Sequence, residues 1–223
     1  MSTCVCSATA ARRHHRAGAS LLVAVFFLSA LAILPARPAA AAIDVGEQAP
    51  AFALTDAGGG ERSLADYAGK TVVLEWTNHE CPYVRKHYDS GNMQALQKQA
   101  ADSGVVWLTI ISSAPGEQGY VSGDKAEAIA AEAEAAPSAI LLDPEGRVGQ
   151  AYGAKTTPHM YVIDGKGRLV YMGGIDDRPT TRRSDIEGAR NHVALALADL
   201  SAGRPVSEAS TRPYGCSIKY RTP

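Results

Sequence analysis

The sequence predicts an α/β fold, a central mixed sheet with helices on both faces. Three observations predict it. Continuous apolar runs at residues 71–77, 105–111 and 139–142 read as buried strands. Helical segments separate them: Met93, Leu96 and Ala100 recur at helical spacing, and residues 124–136 form an Ala/Glu-rich run. Finally, Asp164-Gly165-Lys166-Gly167 reads as a hairpin turn between strands at 159–163 and 168–172. Strand and helix in alternation build a parallel sheet covered on both sides. The hairpin adds an antiparallel edge pair.

Residues 1–42 stand apart from that fold. Arg12, Arg13, His14, His15 and Arg16 form a basic start, residues 21–34 are apolar apart from Ser29, and four alanines, Ala39 to Ala42, follow Pro-Ala-Arg-Pro. This is the layout of a secretory signal with cleavage after Ala42. Its apolar run of fourteen residues is shorter than the roughly 18–20 of a membrane-spanning helix. The expected home is periplasmic or secreted, with no stable membrane insertion after cleavage; an uncleaved anchor is the alternative. Of the 22 basic residues, Arg12, Arg13, Arg16 and Arg37 leave with the signal, so 18 face 23 acids, a net charge of −5. A mildly acidic chain without a basic tract excludes nucleic acid as a partner. Cys4 and Cys6 also leave, and the mature chain keeps Cys81 and Cys216. An even count in an oxidising compartment leaves a disulfide between them open.

The expected organisation is a signal at 1–42, one domain at 43–203 and a tail at 204–223 carrying Cys216. In the domain, residues 45–50 are an extended lead-in, 51–54 a short strand, and Asp56 to Gly60 a turn toward a hairpin partner at 62–64. Ser63 caps a short helix that Gly69 stops. After the strand at 71–77 comes a helix interrupted at 89–92 and ended by Gly104. Ser122 caps the helix at 124–136, which Pro137 closes. Residues 148–152 are a helical turn or two. Ser184 or Asp185 caps a last helix ending near Gly203, with Ile186, Val193, Leu197 and Leu200 as its apolar stripe. Asp176-Asp177 in a Gly-flanked loop reads as a solvated pair, and Glu127, Glu132 and Glu134 as a solvated helix face.

The chemistry gathers around Cys81. The strand at 71–77 feeds a short loop, and Pro82 follows Cys81 directly. Proline suits the first position inside a helix, where its missing N–H costs nothing. Cys81 therefore caps a helix N-terminus, where free backbone N–H groups and the helix dipole favour an anion. The anion is the reactive form of cysteine. Arg85 lies one turn on and supports a thiolate, and His79 and His87 offer further positive charge. The opposing reading is a buried, inert cysteine acting as a small hydrophobe.

The markers Trp76 to Tyr88 around Cys81, Thr157-Pro158 before a strand, and the hairpin from Val162 to Gly167 resemble the thioredoxin fold. Within it they resemble the peroxiredoxin-like branch of the alkyl hydroperoxide reductase/thiol-specific antioxidant superfamily, over most of residues 43–223. The resemblance implies a thioredoxin-like sheet with a peroxiredoxin-like N-terminal extension. It also implies a cis Thr157-Pro158 bond facing the reactive cysteine, with the Thr157 backbone binding a substrate chain. It departs in four places. Val84 stands where thioredoxins place a second cysteine. Thr77 lies four residues before Cys81 where peroxiredoxins have a threonine three before, and no proline stands three further back. Val170 occupies the position of the peroxiredoxin arginine, with Arg168 two residues away on the same strand face.

Three readings follow. In the first, Cys81 attacks a small peroxide or a disulfide, Cys216 resolves the product, and a thiol reductant or disulfide-bearing protein is the partner, with no cofactor. In the second, a structural Cys81–Cys216 disulfide stabilises a non-catalytic binding domain. In the third, Cys81, His79, His87 and His159 gather around copper or zinc, against the main expectation of no metal.

Overall fold

The computed structural model describes residues 43–221. The expected signal at 1–42 lies outside the described residues. Within them a seven-stranded sheet is built from β1 (Ala53–Asp56), β2 (Glu61–Ser63), β3 (Val72–Trp76), β4 (Val106–Ile111), β5 (Ala139–Leu142), β7 (His159–Ile163) and β8 (Leu169–Gly173), in the order β2-β1-β5-β4-β3-β7-β8. The middle strands β3, β4 and β5 are parallel. β7 joins β3 antiparallel, and β8 closes that side as the partner of β7. The β1–β2 hairpin closes the other side by pairing antiparallel with β5. β6 (Thr156–Thr157) and β9 (Cys216–Ser217) form a separate two-stranded ladder. Thr157-Pro158 is cis.

The continuous apolar runs follow from burial on both faces. Side chains alternate along a strand. Val72, Leu74 and Trp76 of β3 and Leu108 and Ile110 of β4 face one core with Tyr161 and Leu169. Val73 and Trp107 face the other, with Met160, Val162 and Tyr171. The helices α1 (Pro82–Asp89), α2 (Asn92–Asp102), α3 (Gly123–Glu132), α4 (Arg147–Ala151) and α5 (His192–Ser201) divide between the faces. Val148 of α4 packs on the first core, while Met93 and Leu96 of α2 and Val193 and Ala196 of α5 pack on the second.

Three expectations need correction. α3 ends at Glu132 rather than at residue 136. Glu134 turns into the left-handed region at φ 52°. The groups this frees are taken by α2: Gln94 Nε2 donates to the Ala133 carbonyl, and Gln97 Oε1 accepts from Ala136 N–H at 2.9 Å. The last helix starts at His192, capped by Asn191, whose Oδ1 accepts from Ala194 N–H at 2.9 Å. Gly188, at φ 75°, separates it from a single 3-10 turn at Arg183–Asp185, so Ile186 is not part of its stripe. The tail carrying Cys216 packs back onto the domain. Ile218 is buried in the first core, and Tyr220 donates to the Ala154 carbonyl at 2.8 Å. Last, Asp176 is buried and only its neighbour Asp177 is exposed.

Candidate active site

β3 delivers the chain to a tied loop. Thr77 N–H continues the parallel pairing onto the Ile110 carbonyl at 3.0 Å. The Asn78 side chain accepts from Glu80 N–H at 2.9 Å, and its backbone carbonyl accepts from Cys81 N–H at 3.0 Å. Glu80 accepts from Gly119 N–H at 2.7 Å, which pins the loop to the one after β4. Gly119 is required here: it sits at φ 85°, and a Cβ would collide with the Asn78 amide. The loop ends with Cys81 as the N-cap of α1 and Pro82 at the first helical position. Extended backbone at Cys81 (φ −73°, ψ 123°) then turns into helix, as a cap requires.

Cys81 is fully buried, and its Sγ lies 3.1 Å from the Thr157 carbonyl, just before the cis-proline. β9 places Cys216 opposite Thr157 and Ser217 opposite Thr156. Cys216 is thereby set across from Thr157, whose carbonyl the Cys81 sulfur touches, and is the neighbouring thiol of Cys81. Both cysteines are free thiols, and Cys216 is the more exposed. The buried Thr157 hydroxyl has no other partner and is free to donate to a Cys81 thiolate.

The two thiols are driven apart in acidity. Burial pushes Cys81 up, but the bonds from the Cys216 thiol, Val84 N–H, the Thr157 side chain and Cys216 N–H outweigh it. The Cys81 thiol ends below its ordinary value. Burial and the bond it gives to Cys81 push Cys216 up to about 12. Cys81 is thus the more acidic thiol of the two, and as a thiol it donates to the Thr157 carbonyl.

The other sequence-predicted residues are less central. Arg85 is exposed and lies 4.0 Å from Asp89, one turn along α1, so the support for a Cys81 thiolate comes from thiol, hydroxyl and backbone donors. With His79, Val84, Tyr88 and Ile129, Arg85 lines a groove of about 450 Å³ between α1 and α3. Arg168 donates to the Gly46 carbonyl at 2.8 Å, and Val170 packs on the second core. His87 and His159 are buried and held neutral by desolvation, at about 4 and about 3. His159 Nδ1 lies 3.3 Å from Lys155 N–H and 3.2 Å from the Tyr161 hydroxyl, which ties down the ring. Among the described residues no three His, Cys, Asp or Glu side chains gather as a metal site.

Sequence reasoning passed over two buried clusters. Glu75 of β3 is fully buried, and burial pushes its carboxyl up. It accepts from the Tyr88 hydroxyl at 2.9 Å, Trp107 Nε1 at 2.8 Å and the Thr109 hydroxyl at 3.2 Å. A glutamate interrupting an otherwise apolar buried strand was its visible signal. The second cluster joins Lys86, Asp176, Tyr214 and His87. Its only signal was a lysine on the inward side of α1.

A seven-stranded sheet, a capped helix start and a dithiol beside a cis-proline define a thioredoxin-fold thiol oxidoreductase. The AhpC/TSA family profile matches residues 45–172, and the chain belongs to that family. It is 29% identical over 160 residues to a candidate peroxiredoxin of Mycobacterium tuberculosis, Rv2521, covering 70% of this chain and 94% of that one. It is 27% identical over 135 residues to the thiol-disulfide oxidoreductase ResA of Geobacillus thermodenitrificans, covering 57% of this chain and 68% of ResA. Among solved structures, an uncharacterized conserved protein from Geobacillus kaustophilus superposes with a TM-score of 0.68 at 29% identity, over 81% of this chain and 94% of that one.

Proposed function

We propose that this protein is an exported two-cysteine oxidoreductase in which Cys81 is the attacking thiolate and Cys216 the resolving thiol. The observation that carries this reading is the meeting of two free thiols at the cis Thr157-Pro158 bond, Cys81 against the Thr157 carbonyl and Cys216 paired with Thr157 by β9. With a hydroperoxide, the Cys81 thiolate attacks the outer peroxide oxygen. The O–O bond breaks, the alkoxide leaves and takes a proton, and Cys81 becomes a sulfenic acid. Cys216 then attacks the Cys81 sulfur, water leaves, and a Cys81–Cys216 disulfide forms. With a disulfide substrate, Cys81 forms a mixed disulfide and Cys216 displaces the substrate thiol. In either case two thiols of a reductant restore the pair and leave as a disulfide.

The peroxide branch draws support from the family and from the likeness to Rv2521, and the disulfide branch from the likeness to ResA. The expected signal at 1–42 supports an extracytoplasmic home, where a thiol reductant or a disulfide-bearing protein is the partner. Turnover of hydrogen peroxide and of a model disulfide by the purified protein is the test. Cys81→Ser is expected to abolish turnover of the true substrate; full turnover without that sulfur would remove the reading. The reduction potential separates catalysis from a structural bond. It is expected above about −300 mV, the value below which structural disulfides lie.

A further inference from the structure

Lys86, Asp176 and His87 are buried and Tyr214 is half-buried; all four are hydrogen-bonded and unused by the chemistry above. Lys86 and Asp176 have almost no exposed side chain, and their charged groups lie 3.3 Å apart. Lys86 also donates to the Arg178 carbonyl at 2.7 Å. Burying such a pair costs desolvation that its attraction rarely recovers, so it is weak evidence for stability. Its surroundings give it another use. Asn92 Nδ2 donates to His87 Nδ1 at 2.9 Å, which leaves the proton on Nε2. That nitrogen lies 3.2 Å from the Tyr214 hydroxyl and donates to it. The hydroxyl in turn donates to Asp176. Every donor and acceptor along Asn92, His87, Tyr214 and Asp176 has one consistent direction. The Tyr214 ring meets Tyr83 edge-on at 5.9 Å and lies under Lys86 Nζ at 5.5 Å. Burial and Asp176 keep its phenol protonated, well above the ordinary value, with Tyr171 and Asp177 adding to the effect.

Tyr214 stands two residues before Cys216. Between them, Gly215 takes φ 145°, and a Cβ there would collide with the Thr157 carbonyl oxygen. The chain can therefore pass from the Tyr214 anchor directly onto the Thr157 edge. On the far side, Ile218 N–H donates to the Lys155 carbonyl at 3.1 Å. We propose that Tyr214, held by Lys86, Asp176 and His87, is the positioning residue of the dithiol pair, keeping β9 seated on Thr156–Thr157 so that Cys216 meets Cys81 without a segment first having to dock.

This inference rests on Cys216 being the resolving thiol, and the experiment separates the two. Tyr214→Phe removes only the hydroxyl and keeps the ring on Tyr83 and Lys86. Asp176→Asn keeps an acceptor and removes its charge. After one equivalent of hydrogen peroxide, acid-quenched samples are followed by mass spectrometry for Cys81 sulfenic acid and for the Cys81–Cys216 disulfide. The parent protein is expected to close the disulfide with little sulfenic acid. Tyr214→Phe is expected to close it at least 10-fold more slowly and to pass to the sulfinic acid with a second equivalent, with Asp176→Asn between them. The pH midpoint of Cys81 alkylation is expected to rise in Tyr214→Phe, because the Cys216 donor is less often in place. A lowered Tm with unchanged closure rate and unchanged midpoint would mean a merely structural tyrosine and overturns the inference. A parent protein that forms neither sulfenic acid nor a Cys81–Cys216 disulfide, with hydrogen peroxide or with a model disulfide, instead overturns the function on which it rests.

Discussion

Cys81 and Cys216 carry the same side chain, yet their surroundings push them in opposite directions, Cys81 down and Cys216 up. The thiol of Cys216 is a donor to Cys81, so it lowers one acidity constant by raising the other. Val84 N–H, in the first turn of α1, is among the groups that lower the Cys81 acidity constant, so the helix start contributes while the exposed Arg85 turns to Asp89. Cys216→Ser tests how much the thiol contributes. The pH midpoint for alkylation of Cys81 in the parent is expected below the roughly 8.5 of an ordinary cysteine. In Cys216→Ser it is expected to move upward, because the replacement hydroxyl is shorter and approaches a large sulfur poorly. The same variant is expected to accumulate sulfinic acid under peroxide, since no thiol remains to trap the sulfenic acid. A midpoint that stays put would assign the shift to the Thr157 hydroxyl and the backbone donors.

At the scale of elements, the site is three pieces of backbone held at one point: the start of α1, the cis-proline edge β6, and β9. The first two were legible in the sequence. Cys81-Pro82 announces a helix start through proline's preference, and Thr157-Pro158 announces an edge before a strand through the resemblance. β9 was not legible, since two residues of strand have no periodicity to read and its partner lies about sixty residues away. Likewise Asp176 read as solvated because its burial depends on Lys86, which arrives from another element. The early end of α3 depends on Gln94 and Gln97 of α2 in the same way. What local pattern fixes was visible, and what cross-chain partners fix was not. β9 makes its own prediction. Gly215→Ala puts a Cβ against the Thr157 carbonyl and demands a φ that alanine rarely adopts. The Ile218 amide, bonded to Lys155, is expected to exchange hydrogen at least 10-fold faster in that variant, while amides of β3 and β4 keep their protection. Unchanged exchange at Ile218 would show that β9 does not depend on the close approach at Gly215.

For the whole molecule, the buried histidines link the site to acid stability. His87 anchors the Tyr214 cluster, and His159 opens β7 immediately after the cis-proline. Both are desolvated and neutral, with values near 4 and near 3, while an unfolded chain titrates histidine near 6.5. The unfolded state therefore binds protons first. The stability that neutral burial contributes is fully present above about pH 6.5 and is lost as pH falls toward the folded values. Between pH 7 and pH 5 the loss is about 2 kcal/mol for each histidine, from 1.5 pH units at about 1.4 kcal/mol per unit. Asp56, Asp66, Asp185 and Asp199, all held below their ordinary value, enter only at lower pH. Glu75, pushed up by burial, acts in the opposite sense by favouring the folded state as it protonates. The histidine contribution is thus read as a difference. Denaturant unfolding of the reduced protein and of His159→Asn at pH 7, 6 and 5 is expected to show the variant less stable at pH 7 but flatter with pH, the gap closing by about 2 kcal/mol at pH 5. Parallel pH profiles for the two proteins would mean that His159 titrates in the fold as it does in the unfolded chain, and that burial does not hold the ring neutral.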